Sequence, residues 1–159
     1  MQVLAEKEAE EFLEKKGFPV VKRIYVKKFE EALNASEKIG FPLVLKIFSK
    51  KIIHKSDVNG VKLNIKNNEE LKEAFNELKK IKFFEGVVVQ KYIEGKYILA
   101  GLKKDPTFGS VLAFGLGGIY TEILKDVSFR VCPVNKNEIN EMIKEIKSYK
   151  ILEGVRGEV

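Results

Sequence analysis

The sequence predicts an α+β fold built on antiparallel or mixed sheets. Two helix-to-strand units open it, each joined through Gly-Phe-Pro at residues 17–19 and 40–42. Three strand-like runs, GVVVQKYI, KYILAGLKK and SVLAFGL, then follow one another with no helix between them. Strands gathered in mid-chain argue against a doubly wound parallel sheet, and the DPTFG turn makes the last two an antiparallel pair.

Each element has its own signal. Leu4, Ala5, Ala9, Phe12 and Leu13 recur at helical spacing until Gly17, and VVKRIYV follows as a strand. Phe29, Ala32, Leu33, Ser36 and Ile39 mark a second helix, stopped by Gly40 and followed by the apolar strand LVLKIF. GVKLNIK alternates as a strand with one covered face, and Asn67 or Asn68 caps a helix that turns Leu71, Ala74, Phe75 and Leu78 inward. After the three runs come a glycine loop, GLGGIY, and TEILKDVSFRVCP, which reads as one long alternating strand. A capped helix, NKNEINEMIKEIKSY, closes the pattern with Ile139, Met142, Ile143 and Ile146 toward the core.

Composition narrows the function classes. A chain of 159 residues with 45% apolar content suffices for one domain or two small lobes. No apolar run approaches the roughly 20 residues a bilayer demands, and the first residues read as a charged amphipathic helix, so a cytoplasmic protein with no membrane association is expected. The net charge of +6 is spread over helices in which Lys and Glu alternate, the pattern of solvated faces, and nucleic-acid binding is not expected. Cys132, the single cysteine, reads as a small hydrophobe without a catalytic role. Abundant Lys, Glu and Ile with no Trp fit a thermophile, and equally an AT-rich genome.

Three stretches carry chemistry. Lys46 lies inside LVLKIF, where its ammonium needs an anion such as a phosphate, or else points from the sheet into solvent. GLGGIYTE offers glycines whose amides can approach an anion, or is a plain turn between strands. Glu122 at its end, Asp126 and Arg130 have equal parity and would share one strand face, either as a site for a divalent metal and phosphate or as a surface ion ladder. His54, the single histidine, sits between Lys51 and Lys55 and before Ser56 and Asp57. Lysines lower an imidazole's pKa and would stabilise a phosphorylated ring, although an exposed loop histidine is more often inert.

Taken together, GFPLVLKIFSKKIIHKSDVNGVKLNIKN, VVVQKYIEG, GLKKDPTFGSVLAFGLGGIYTEILKDVSFRVCP and the closing GVRGE resemble the ATP-grasp domain of the β subunit of ADP-forming acyl-CoA synthetases, the acetate–CoA ligase (ADP-forming) group related to succinyl-CoA synthetase. The resemblance implies one ATP-grasp domain over residues 1–159 made of two small α+β lobes, 1–18 with 98–159 and 19–97. It implies a reaction in which acid, CoA and ATP give acyl-CoA, ADP and phosphate. ATP/ADP and Mg2+ would be the cofactors, and a CoA-binding α subunit the partner that binds acid and CoA. His54 would be the loop histidine that carries phosphate, with Lys55, Ser56 and Asp57 supporting the loop. Lys46 would contact nucleotide phosphates, Gln90, Lys91, Tyr92 and Ile93 would form the adenine hinge, and Gly117 and Gly118 would face phosphate. Glu122 and Asp126 would hold the metal, with Arg130 catalytic beside them.

The sequence departs from that family's pattern at Lys91 and Tyr97, where glutamates are usual, and at Asn59, where glycine is usual but Asn also adopts left-handed angles. It closes at Val159, before the family's final helix and its metal-binding strand, so a C-terminally truncated domain is expected. Two functions remain open: a ligase fragment active with its α partner, and a non-catalytic remnant or interaction module that keeps the fold without productive ATP binding.

Overall fold

The computed structural model describes residues 6–52, 55–118, 123 and 125–154. Contacts divide the chain into two units, the first ending at Ile93 and the second beginning at Glu94. The opening helix, α1 (Glu6–Lys15), belongs to the first unit. The sequence reading instead grouped residues 1–18 with 98–159. The difference comes from the glutamates of α1, which pair with cations of the first unit.

The first unit is a four-stranded antiparallel sheet in the order β1-β4-β2-β3, comprising β1 (Arg23–Val26), β2 (Leu43–Phe48), β3 (Val61–Ile65) and β4 (Gly86–Lys91). Its two other helices, α2 (Phe29–Ile39) and α3 (Asn68–Lys79), lie where the apolar spacing put them. Glu31 fixes the start of α2 by accepting from the Lys27 and Lys28 amides at 2.8 and 3.2 Å. Asn67 caps α3 through the Glu70 amide at 2.8 Å, and Glu70 returns a carboxylate to the Lys66 amide at 2.8 Å.

One sheet face and these two helices make the core. Leu43, Leu45 and Ile47 alternate into it from β2 and Val87 and Val89 from β4, against Leu71, Ala74, Phe75 and Leu78. Each such aliphatic side chain contributes about 1.5–3 kcal/mol by leaving water. Edge-to-face contacts link Phe29, Phe75 and Phe84 at centroid distances of 5.7 and 5.9 Å.

The second unit is an antiparallel meander of β5 (Ile98–Asp105), β6 (Gly109–Leu116) and β7 (Val127–Val131), followed by α4 (Lys136–Glu145) and the short α5 (Tyr149–Glu153). The DPTFG turn is as expected: Asp105 accepts from the Thr107 and Phe108 amides at 2.9 and 3.0 Å, and Gly109 has φ +75°. TEILKDVSFRVCP is not one long strand. Lys125 adopts φ +48°, which breaks an extended run, and pairing with β6 begins only at Val127. No helix among the described residues is long and apolar enough to cross a membrane.

Candidate functional site

Opposed residues of an antiparallel sheet share a face, and residues two apart along a strand share it too. The core side of the first unit's sheet holds Leu43, Leu45 and Ile47. The other side therefore carries Arg23, Val44 and Gln90 in one rung and Tyr25, Lys46, Val61 and Val88 in the next. Such a row of cations and polar groups on an apolar sheet needs counter-charges, and α1 supplies them.

Glu6 Oε1 lies 3.1 Å from Lys46 Nζ, and its other oxygen pairs with Lys55 Nζ. Glu10 Oε2 is 2.6 Å from Arg23 Nε and accepts the Tyr25 hydroxyl at 3.2 Å, while Glu14 is 3.3 Å from Arg23 Nη2. The lysine of β2 therefore has an anion before it, one of the two outcomes its apolar strand allowed. Burial and the adjoining Glu10 carboxylate push the Tyr25 phenol up to about 12. Burial alone holds Lys55 below the usual lysine range. Gln90 is 9% exposed, and its side-chain oxygen is buried without a hydrogen-bond partner among the described residues.

The loop after β2 is pinned at its far end. Gly60 donates to Lys55 O at 2.8 Å and accepts from the Ile47 amide at 2.7 Å, so residues 55–60 fold back onto β2. A Cβ at Gly60 would stand 2.5 Å from Ile47 Cγ2 and 2.9 Å from Lys55 O. Asn59 takes the left-handed conformation, φ +53°, in keeping with Asn in place of glycine. Ser56 and Asp57 form a single exposed 3-10 turn. His54 lies outside the described residues.

Other predicted site residues are placed differently. Lys91 pairs with Leu43 and so lies on the core side of the sheet, away from Gln90. Its ammonium donates to Gly40 O and Phe41 O at 3.0 and 2.6 Å, a cation drawn to the carbonyl end of α2. Tyr92 donates its amide to Pro42 O at 3.0 Å, and Ile93 is exposed.

In the second unit Gly117 approaches β5 so closely that a Cβ would lie 3.0 Å from the Ile98 backbone. Its amide, expected to face phosphate, instead donates to Tyr97 O at 2.8 Å. Gly118 has φ +64°, and a Cβ there would stand in ordinary contact with the Tyr97 ring, 3.9 Å away.

Asp126 and Arg130 do share a side, together with Ser128, but that side meets α4. Asp126 accepts from the Ser148 hydroxyl at 2.6 Å and from the Ser148 and Lys147 amides at 2.7 and 3.0 Å. These bonds, the Ser148 hydroxyl foremost, lower its pKa below the usual aspartate value. Arg130 Nη2 reaches Glu145 at 2.5 Å, and Nη1 donates to Phe129 O at 2.8 Å. Glu122 lies outside the described residues, and no group of three or more metal-binding side chains occurs among the described ones. The three bonds from Ser148 and Lys147 leave about one of the roughly four acceptor positions of the Asp126 carboxylate open.

Sequence reasoning missed the acidic ridge of α1 and its partners Arg23 and Tyr25. The signal was present: Glu6, Glu10 and Glu14 are spaced i, i+4, i+8. The apolar positions expected to face inward, Phe12 and Leu13, are 52% and 40% exposed, and none of the residues of α1 is buried.

Comparison with known proteins places these observations. The chain matches the ATP-grasp domain family over residues 1–159. It is 48% identical over 163 residues to the acetate–CoA ligase [ADP-forming] I subunit beta of Pyrococcus furiosus, covering 98% of this chain and 70% of that one. It is 44% identical to the acetate–CoA ligase [ADP-forming] II of Archaeoglobus fulgidus, covering 97% of this chain but 23% of that one. A structure of the dinucleotide-forming acetyl-coenzyme A synthetase 1 of Ca. Korarchaeum cryptofilum is 44% identical with a TM-score of 0.81, over 97% of this chain and 68% of that one. It holds coenzyme A and Mg-AMPPCP, with its phosphohistidine segment pointing towards the nucleotide-binding site.

Proposed function

Because the chain belongs to the ATP-grasp domain family, among the ADP-forming acetate–CoA ligases and their β subunits, we propose that it is the nucleotide-handling part of an acid–CoA ligase, exchanging phosphate between ATP/ADP and His54. The observation that supports this most directly is the convergence of Lys46 and Lys55 on one carboxylate, beside the loop that carries His54. Two half-buried ammonium groups that can both reach one anion form a phosphate-binding pair. Gln90, with a buried acceptor on the same sheet face, is suited to a donor such as an exocyclic amine of the base.

In the transfer, a neutral imidazole nitrogen of His54 attacks the γ-phosphorus of ATP. The N–P bond forms as the P–O bond to ADP breaks, and ADP leaves with the electron pair. Lys46 and Lys55 balance the phosphoryl charge throughout. A CoA-binding α subunit then receives the phosphate, uses it to activate the acid, and releases acyl-CoA and inorganic phosphate. Mg2+ would enter with the nucleotide, held chiefly by the phosphates themselves.

Incubation with γ-labelled ATP and Mg2+, with and without a CoA-binding α subunit, tests the reading. Acid-labile, base-stable label on the unaltered chain and none on His54→Ala is the expected result. The rival reading, a non-catalytic remnant, draws on the hydrogen-bonded Asp126 carboxylate and the engaged Gly117 amide. A folded protein that takes no label under either condition would establish that rival.

A further inference from the structure

Glu6, Glu10 and Glu14 form one ridge of α1, yet its two ends are built differently. Toward the C-terminal end, Glu10 and Arg23 make a deep pair, with side chains 20% and 8% exposed. At the N-terminal end Glu6, 33% exposed, answers both Lys46 and Lys55, which are 25% and 19% exposed. Glu6 also lies in the first described turn of α1, one turn before the deep Glu10–Arg23 pair that anchors the helix.

We propose that Glu6 is a displaceable counter-ion: it occupies Lys46 and Lys55 while the site is empty, and incoming polyphosphate competes it away. Binding then lifts the first turn of α1 from the sheet, while Glu10 keeps the rest of the helix anchored on Arg23. The inference rests on the reading that this face takes nucleotide phosphate. A polyphosphate has more charge and more acceptor oxygens than one carboxylate, so it can replace Glu6 on both lysines. Glu6 keeps the two ammonium groups gathered and partly desolvated beforehand, a state the burial-lowered basicity of Lys55 reflects. Its cost is affinity, because each bound phosphate must first break those pairs.

Calorimetric titration with inorganic tripolyphosphate, and separately with Mg-ATP, tests this on the unaltered chain, Glu6→Gln and Glu11→Gln. Glu11 lies on the same helix with its carboxylate 3.9 Å from Lys7 and about half exposed, so it controls for net charge. Glu6→Gln is expected to bind tripolyphosphate about tenfold more tightly than the unaltered chain, and Glu11→Gln to match the unaltered chain within about twofold. Equal or weaker binding by Glu6→Gln, or no binding by either protein, overturns the proposal. If tripolyphosphate tightens while Mg-ATP binds neither protein, the counter-ion role stands and the nucleotide reading falls.

A second measurement does not depend on the variant folding. In the unaltered chain, the side-chain carboxyl carbon resonance of Glu6 should shift as tripolyphosphate is added, and that of Glu11 should not. Bound tripolyphosphate with a stationary Glu6 signal overturns the inference.

Discussion

Replacing Glu10 by Ala should be the most damaging single change on α1. The Arg23 side chain is 8% exposed, and Glu10 also accepts the Tyr25 hydroxyl, so the truncation strands a desolvated guanidinium and a part-buried phenol together. Breaking a buried pair by removing one partner costs about 3–5 kcal/mol. Here Glu10 is 20% exposed and Glu14 remains 3.3 Å from Arg23, so about 2–3 kcal/mol is expected. Glu14→Ala removes a carboxylate that is 61% exposed and should cost under about 1 kcal/mol. Native-state hydrogen exchange at the Val88 and Val89 amides of β4 reports the first unit alone, and exchange there should be about 30- to 150-fold faster in Glu10→Ala. Adding Arg23→Met to Glu10→Ala should recover part of the loss, because the stranded charge is then gone. Equal effects of Glu10→Ala and Glu14→Ala, or a change below about 0.5 kcal/mol for Glu10→Ala, would refute the reasoning.

Two further outcomes follow from the same sheet. The folded-state pKa of Tyr25 is raised to about 12 from 10.0. The folded chain thus holds that proton more tightly than the unfolded one, and its contribution is complete below pH 10 and lost as pH rises toward 12. Alkaline unfolding curves of the unaltered chain and Tyr25→Phe should differ in slope across that window, and parallel curves would show that the phenol is not so held. Gly60→Ala brings a Cβ to 2.5 Å from Ile47 Cγ2 and 2.9 Å from Lys55 O, and a backbone shift of that kind costs about 1–3 kcal/mol. Since it moves Lys55, weaker tripolyphosphate binding should accompany the lower stability; a loss of stability with unchanged binding would separate the loop from the anion site.

The elements of the first unit from α2 onward were legible because their signals were local and agreed. A 3.6-residue apolar period, Gly40 at a helix end and Asn67 at a helix start each act within a few residues. Lys46 in its apolar strand allowed two outcomes, an anion partner or solvent, and only the placement of Glu6 decides between them. The side Lys91 takes was not legible for a complementary reason: nothing in VVVQKYI tells which residue of the pair Gln90 and Lys91 faces which way until the register with β2 is set. Asp126 and Arg130 were rightly given a common side. Parity, however, cannot reveal that α4 covers that side, or that Ser148 and Glu145 take up their charges. Alternating charge in EKEAEEFLEK resembles a solvated face, and it becomes an interface only because Arg23, Lys46 and Lys55 are gathered opposite by strand pairing far away in sequence.

That gathering also bears on why the single histidine stands between lysines. Lys46 and Lys55 are separated by the end of β2 and a loop, yet both reach the two oxygens of one carboxylate. The Gly60 bonds to Lys55 O and the Ile47 amide hold the returning arm of that loop against the strand. His54 is the covalent neighbour of Lys55, so any anion held by the pair lies near the root of the histidine's own loop. Flanking ammonium groups would stabilise a phosphorylated imidazole. The proposed carrier would draw on both the glycine that pins the loop and the desolvated lysine beside the histidine. Labelling of His54 is the observation on which that reading stands or falls.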